Sequence, residues 1–345
     1  MRIRLSLISA FIFFTVVVSL PAGLRSETAT IADFYRGKTV SIYVGSSAGG
    51  LYSTFAQILS NHLGRHIPGN PAVIVNHMPG VGGMKALNFV YNAAPKDGTA
   101  LITPNSGSTR RYVLGLGAPK FDPLKWHWLG GWGEAVMVLT VLNTAPVKTL
   151  KEATQKEAVI GAINRASNTF TIPTLINNIV GTKFKIIPGY RGGSGVRLAM
   201  EKGEVHGFCG QLMAWKSRKP EWIREGKLVH LVQLASKPSP ELPPGVPQLA
   251  DFAKNDEQLQ MCRIIQSGLE DRTLTAPPGV PTDRVAALEK AYMTTLNDPK
   301  FKADATKRKY AIDPVTSEEI QTFVKGMTSM SPQLVAKLKE AMGLE

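Results

Sequence analysis

The sequence is poor in cysteine and in long apolar segments, and each shortage excludes a class of protein. Two cysteines, Cys209 and Cys262, cannot make a disulfide-rich scaffold in a chain of 345 residues, and spacing alone leaves their pairing open. Beyond the N-terminal residues, no segment approaches the roughly 18 consecutive apolar residues of a membrane-spanning helix. A hydrophobic content of 43% with 19% charged residues excludes a disordered chain. We therefore expect a globular protein with ordinary buried cores.

Acidic residues are also scarce, with 26 against 40 lysines and arginines, for a formal charge of +14. Such a balance suits an anionic ligand or an anionic surface, and nucleic acid is the usual alternative. The positive residues are dispersed, however, and the densest cluster, Lys307 to Lys309, is typical of a solvated helix face. We expect no binding to nucleic acid, because the chain is also predicted to be exported.

The N-terminus predicts export. Arg2 and Arg4 precede an uncharged run of sixteen residues, LSLISAFIFFTVVVSL, and small residues follow. An uncleaved membrane anchor is the alternative, but serine and threonine interrupt the run, which is shorter than the ~20 residues a spanning helix needs. No cysteine follows at a lipoprotein position. We expect residues 1–26 to be a cleaved signal peptide and the protein to be periplasmic.

From residue 38 onwards, short β-branched runs alternate with amphipathic stretches. TVSIYVG is predicted to be a strand, and Phe55, Leu59 and Leu63 mark the buried stripe of the helix after it. PAVIVNHM and GTALITPNSGS predict two further strands. This alternation is typical of a parallel sheet covered by helices.

A cluster of Trp126, Trp128 and Trp132 with glycines leads into the apolar run AVMVLTVL and indicates a passage into a second domain, with the tryptophans favoured as core. There PTLINNIVG predicts a helix with Pro173 in its first turn and Gly181 at its end. The proline-rich KPSPELPPGVPQLADF then leads the chain back. The predicted fold class is α/β, with two lobes joined by crossover strands: residues 33–130 plus 243–345, and residues 131–242.

Two loops rich in glycine and serine, residues 45–53 and 189–195, each lie between a predicted strand and a helix start. Free amide groups at a helix N-terminus hold a carboxylate without needing a lysine, and glycine lets the ligand approach the main chain. A tight strand-to-helix turn explains either loop alone equally well. One such loop in each predicted domain favours a shared anion-binding cleft.

The segments FYRGKTVSIYVGSSAGG, NHMPGVGG, APKDGT and GYRGGSG resemble the tripartite tricarboxylate transporter substrate-binding family, also called Bug proteins. The likeness covers nearly the whole chain after the N-terminal segment. It implies a two-lobed periplasmic-binding-protein fold of the Venus-flytrap kind, a carboxylate held mainly by backbone amides, hydroxyls and waters, and delivery to the membrane subunits of a transporter. It implies a monomeric binding protein with no cofactor and no metal, and not an enzyme.

The resemblance also implies the ligand-binding residues. They come from four segments of the sequence: Ser46, Ser47, Ala48, Gly49, Gly50 and Ser53; Asn105 and Ser106; Asn164, Ser167, Asn168 and Thr169; Tyr190, Arg191, Gly192 and Gly193. Ser53 is a departure, since many relatives carry aspartate there, which argues against an amine-bearing ligand. Arg191 is the nearby charge that could pair with a carboxylate, and a solvated loop arginine is the open alternative.

Three other interpretations are weaker. Gly45, Ser47 and Gly49 fit the G-x-S-x-G pattern of a serine esterase, but no oxyanion segment or triad order accompanies them. His62 and His66 have metal-ligand spacing on a helix, but no third ligand is evident. An orphan carboxylate sensor that signals to a partner is the alternative within the class of binding proteins.

Overall fold

The computed structural model describes residues 30–165, 167–308 and 310–344. The predicted signal peptide therefore lies outside the described residues. Within them, no helix combines the length and the apolar character needed to cross a membrane.

In the part of the chain that the structure describes, ten strands form two five-stranded sheets, ordered β2-β1-β3-β10-β4 and β7-β6-β8-β5-β9. The strands are β1 Thr39–Val44, β2 Ala72–His77, β3 Ala100–Thr103, β4 His127–Gly131, β5 Met137–Leu142, β6 Ala158–Ala162, β7 Phe184–Pro188, β8 Gly207–Gln211, β9 Leu228–Leu234 and β10 Thr273–Ala276.

Fourteen α-helices within the described residues cover the sheets and connect their strands. They are α1 Ile31–Tyr35, α2 Leu51–Leu63, α3 Met84–Asn92, α4 Ser108–Val113, α5 Leu150–Ala153, α6 Asn168–Val180, α7 Gly192–Glu201, α8 Leu212–Arg218, α9 Pro220–Arg224, α10 Asp256–Ile265, α11 Thr282–Asn297, α12 Pro299–Lys307, α13 Ser317–Thr328 and α14 Pro332–Ala341. Short 3-10 turns lie at Gly64–His66, Val81–Gly83, Pro123–Lys125, Leu249–Phe252 and Ser267–Glu270.

Each sheet is mixed, so the expectation of purely parallel sheets is wrong in part. In the first sheet β1 pairs in parallel with β2 and β3, whereas β10 runs antiparallel to β3 and β4. In the second, β6 is parallel to β7 and β8, whereas β5 is antiparallel to β8 and β9. The two antiparallel strands, β5 and β10, are each the first strand after the chain passes from one sheet to the other, and local alternation does not encode such a passage.

The sequence predicted the end of α6 correctly but not its start. Gly181 ends the helix in the left-handed conformation, with φ 85°, as predicted. The helix begins earlier than predicted, at Asn168, so Pro173 lies inside it rather than in its first turn. Pro173 lacks an N–H and so cannot donate to the carbonyl of Thr169, four residues earlier.

The C-terminal segment is divided between the two cores. Leu288, Ile320 and other residues of α11 to α13 pack with the first sheet. Leu334 and Leu338 of α14 pack with the second, as do residues of α10. The lobe boundaries given above stay a prediction. They assign α10 and α14 to the first lobe, whereas both helices pack against the core of the second sheet.

Both cysteines are free and buried, Cys209 in β8 and Cys262 in α10. The three tryptophans at the crossing are core residues, with exposed fractions of 4% or less. Trp132 packs edge-on against Phe55, with ring centroids 4.2 Å apart. The crossing is thus anchored in the core of the first lobe.

Candidate functional site

A cleft of about 570 Å³ lies between the two lobes, at the ends of strands from both sheets. Its wall combines apolar side chains, small polar side chains, glycines and three arginines, and no aspartate or glutamate of the described residues lines it. The lining residues are Leu51, Tyr52, Gly82, Asn105, Ser106, Arg111, Met137, Ile163, Ser167, Asn168, Thr169, Gly193, Ser194, Arg197, Phe208, Gly210, Gln211, Ala214 and Arg218. The size and the mixed lining are those of a small-molecule site.

The structure brings part of the predicted set to this wall. Six predicted residues line the cleft: Asn105, Ser106, Ser167, Asn168, Thr169 and Gly193. The remaining ten are outside its lining: Ser46, Ser47, Ala48, Gly49, Gly50, Ser53, Asn164, Tyr190, Arg191 and Gly192. Whether either group contacts a ligand stays a prediction. From this part of the chain, Leu51 and Tyr52 line the cleft, and the residues of the first glycine loop just before them do not.

The first glycine loop folds onto the start of α2. Gly49 adopts φ 80°, a left-handed conformation that side chains disfavour, and Gly50 occupies the N-cap position without a side-chain hydrogen bond. Ser53 Oγ accepts a hydrogen bond from the Gly49 amide at 3.3 Å and lies 2.8 Å from Nε2 of His77. Ser53 therefore ties the loop to the end of β2, and it is the serine of this segment that has a histidine partner, whereas Ser47 is exposed.

Several polar atoms are left without partners near the carboxyl end of the first sheet. Within the described residues, three buried oxygen atoms have no hydrogen-bond partner: Oγ of Ser46, Oγ1 of Thr103 and Oδ1 of Asn105. Ser46 follows β1, and Thr103 and Asn105 end and follow β3, which is β1's neighbour. Buried polar atoms without partners are costly, so their concentration at one sheet edge indicates a place where ligand or water completes the bonding.

In the facing loop of the second lobe, the hydroxyl groups of Ser167 and Thr169 form hydrogen bonds within the loop itself. Ser167 Oγ donates to the carbonyl of Asn164 at 2.7 Å and lies 2.6 Å from Thr169 Oγ1. Thr169 Oγ1 in turn accepts from the amide of Ile163 at 2.9 Å. These bonds fix the turn between β6 and α6, because they replace the backbone partners that the turn lacks.

Polar contacts join the lobes beneath the cleft. Arg110 of α4 donates from Nη2 to Oδ1 of Asn168 at 2.7 Å. Burial lowers the pKa of Arg110 to about 10, so it is a cation at neutral pH, with Glu270 as the nearby opposite charge. Burial raises the pKa of Glu270, whose carboxylate accepts from the Thr109 amide at 3.0 Å. Arg110 therefore braces the cleft loop of the other lobe and is a structural neighbour of the site.

The three arginines of the cleft wall were not anticipated from the sequence. Arg111 is half-buried on α4, Arg197 is 8% exposed on α7, and Arg218 ends α8 with Nη2 3.5 Å from the carbonyl of Gly49 across the cleft. Arg191, the arginine that was predicted, is exposed and outside the cleft lining. No local signal distinguishes Arg197, six residues later on the same helix, from a solvated arginine.

The two histidines with metal-ligand spacing have acidic partners instead. His62 Nε2 lies 3.2 Å from Oδ2 of Asp304, and His66 Nε2 lies 2.9 Å from Oδ2 of Asp298. Arg65 shares Asp298 and holds the pKa of that carboxyl far below its usual range. These contacts join α2 and the 3-10 turn after it to α12 and its N-cap residue, so the cluster stabilises packing within the first lobe.

Two α/β lobes, a cleft between them and a polar wall contributed by both define a two-lobed solute-binding protein. The sequence of residues 56–339 matches the tripartite tricarboxylate transporter family receptor model, TctC, and the chain therefore belongs to this family. The resemblance found in the sequence is confirmed. Curated protein sequences give no significant match.

Solved structures share the whole two-lobed fold. A TctC solute-binding protein from Polaromonas has a TM-score of 0.67 at 17% identity, covering 90% of this chain and 99% of its own. MatC from Rhodopseudomonas palustris, solved with malate, has a TM-score of 0.61 at 21% identity, covering 88% and 99%. An R. palustris protein solved with adipate has a TM-score of 0.61 at 18% identity, covering 89% and 97%. The predicted periplasmic-binding-protein fold is confirmed.

Proposed function

We propose that the protein captures a small organic carboxylate between its lobes and delivers it to the membrane subunits of a tripartite tricarboxylate transporter. It binds without turnover and works in the periplasm after export. The observation that carries this proposal is the cleft itself: it has arginines on both sides, the partnerless Oδ1 of Asn105 on one side and, among the described residues, no carboxylate in its lining. Such a wall repels no anion and supplies several donors to one.

Membership in the receptor family and the ligands of two structural relatives support the proposal. Adipate and malate are both small dicarboxylates, and each was found in a protein with this fold. In our chain the donors would come from Asn105 and Ser106 on one lobe and from residues 167–169 and 193 on the other. Because both lobes contribute, ligand binding favours their approach, which is the closing motion of this protein class.

Thermal unfolding over a panel of carboxylates tests the function. A ligand that binds only the folded protein stabilises it by ~2.7 kcal/mol when present at a hundred times its dissociation constant. We expect at least one small carboxylate to raise the unfolding temperature at millimolar concentration. Sodium chloride at the same ionic strength and the neutral amide of each acid are the controls. A panel without any shift, confirmed by calorimetry, would refute carboxylate capture.

A further inference from the structure

Three arginines line the cleft, and they come from both lobes. Arg111 belongs to the first lobe, and Arg197 and Arg218 belong to the second. Among the described residues, none of the three forms an ion pair with an aspartate or glutamate, and the charged neighbour that acts on Arg197 is Arg218, another cation. The cleft therefore holds positive charge on its two sides with no counter-charge in the wall.

Arg197 carries the strongest evidence. Its side chain lies in the cleft wall with only 8% of the residue exposed, and it makes no hydrogen bond within the described part of the chain. Burial and the nearby Arg218 both lower the pKa of Arg197. A buried cation without a partner destabilises a folded protein. A ligand anion would supply the missing partner, and Arg218 is close enough to share it.

Two of the arginines, one on each lobe, lie beside a glycine. Gly82 has φ 64°, and a Cβ at that position would lie 2.8 Å from Nη2 of Arg111. A Cβ on Gly193 would lie 3.2 Å from Nη1 of Arg197. Each guanidinium thus lies against a bare stretch of backbone in the cleft wall. A side chain at either position would crowd the guanidinium, so each glycine leaves room for an arginine in the cleft wall.

We propose that the cleft selects ligands with two separate anionic oxygen groups, one paired with Arg111 of the first lobe and the other with Arg197 and Arg218 of the second. This inference rests on the proposed function and narrows it to dicarboxylates. It also assigns selectivity to side-chain charge, in addition to the amides and hydroxyls of the loops. A monocarboxylate leaves one lobe's arginine without a partner and therefore binds more weakly.

Calorimetry with matched ligand pairs tests the inference. Succinate, malate and adipate are each compared with their own monoamide, which keeps the shape of the acid and removes one charge. For the acid that binds best, we expect the diacid to bind at least tenfold more tightly than its monoamide, since hydrogen bonds to charged groups are the stronger ones. Equal affinity for the two would overturn the inference and leave carboxylate capture standing, whereas no binding of any acid would overturn both.

Two variants locate the effect on the arginines. In Arg197→Gln and in Arg111→Gln, we expect the tenfold preference for the diacid to shrink to threefold or less, and the lysine variants to retain part of it. Arg224→Gln, an exposed arginine of α9 outside the cleft lining, is the matched control and should keep the full preference. The two arginines lie on different lobes, so one variant remains informative if the other unfolds. An unchanged preference in both folded variants would overturn the assignment.

Discussion

The polar residues on the two sides of the cleft differ in their hydrogen bonding. On the first lobe, Asn105 in the cleft wall, and Ser46 and Thr103 at the same sheet edge behind it, have buried polar atoms without partners among the described residues. On the second, Ser167 and Thr169 use their hydroxyls to fix their own turn. The first face is therefore poised to bond something from outside, while the second offers a rigid wall whose free capacity lies in its arginines. The difference shows that polar residues in a cleft are not interchangeable as ligand contacts.

The largest effect expected from this comparison concerns the buried charge on the second face. Arg197→Met keeps much of the side-chain volume and removes a cation that is 8% exposed and has no acidic partner among the described residues. We expect the ligand-free protein to become more stable by ~1 to 4 kcal/mol, because replacing a buried charge with an apolar side chain of similar volume often raises the free energy of unfolding. Chemical denaturation measures the gain. Arg224→Met, at an exposed position, should change the free energy of unfolding by less than ~0.5 kcal/mol.

A loss of stability in Arg197→Met, with Arg224→Met unchanged, would mean that Arg197 has a stabilising partner in the ligand-free protein. The second face would then be satisfied throughout, and the proposed selectivity for two charges would lose its main support.

The sequence predicted the parts of this arrangement that depend on local pattern. The β-branched run TVSIYVG predicted β1, whose Val40, Ile42 and Val44 are buried, and the glycines and serines after it predicted the loop at its end. The arginines were missed because adjacent residues of one helix have different roles. Arg110 is buried beneath the cleft and Arg111 lines it, and only the packing of α4 against both lobes separates the two.

A matched pair of threonines tests the two faces directly. Thr169→Val removes the hydroxyl that accepts from the Ile163 amide and leaves that amide without its partner, so we expect a loss of ~1 to 3 kcal/mol. Thr103→Val has the same change of shape at a position where Oγ1 has no partner, so we expect the stability of the ligand-free protein to stay constant or rise. Denaturant unfolding of both variants gives the comparison. Equal losses would show that Thr103 Oγ1 is hydrogen-bonded after all.

The smallest effect concerns Gly82 and its arginine. Gly82→Ala forces a side chain into a left-handed conformation and places a Cβ 2.8 Å from Nη2 of Arg111. We expect a loss of stability of ~1 kcal/mol from the backbone and, in addition, weaker binding of the preferred diacid as Arg111 is displaced. Gly203→Ala carries the same backbone cost, with φ 74°, but a Cβ there meets no atom within 4 Å. Calorimetry should show weaker binding in Gly82→Ala only. Identical affinities in the two variants would mean that Arg111 does not contact the ligand.

The packing of α14 has a consequence for how the chain acquires its structure over time. Leu334, Leu338 and Met342 complete the core around β5 to β9, and Asn178 Nδ2 of α6 donates to the carbonyl of Ala341 at 2.7 Å. During synthesis all five strands of that lobe emerge well before the helix that closes one side of it. We therefore expect a nascent chain that already contains the second sheet to expose the apolar surface of α6, which chaperones and proteases recognise, until α14 docks.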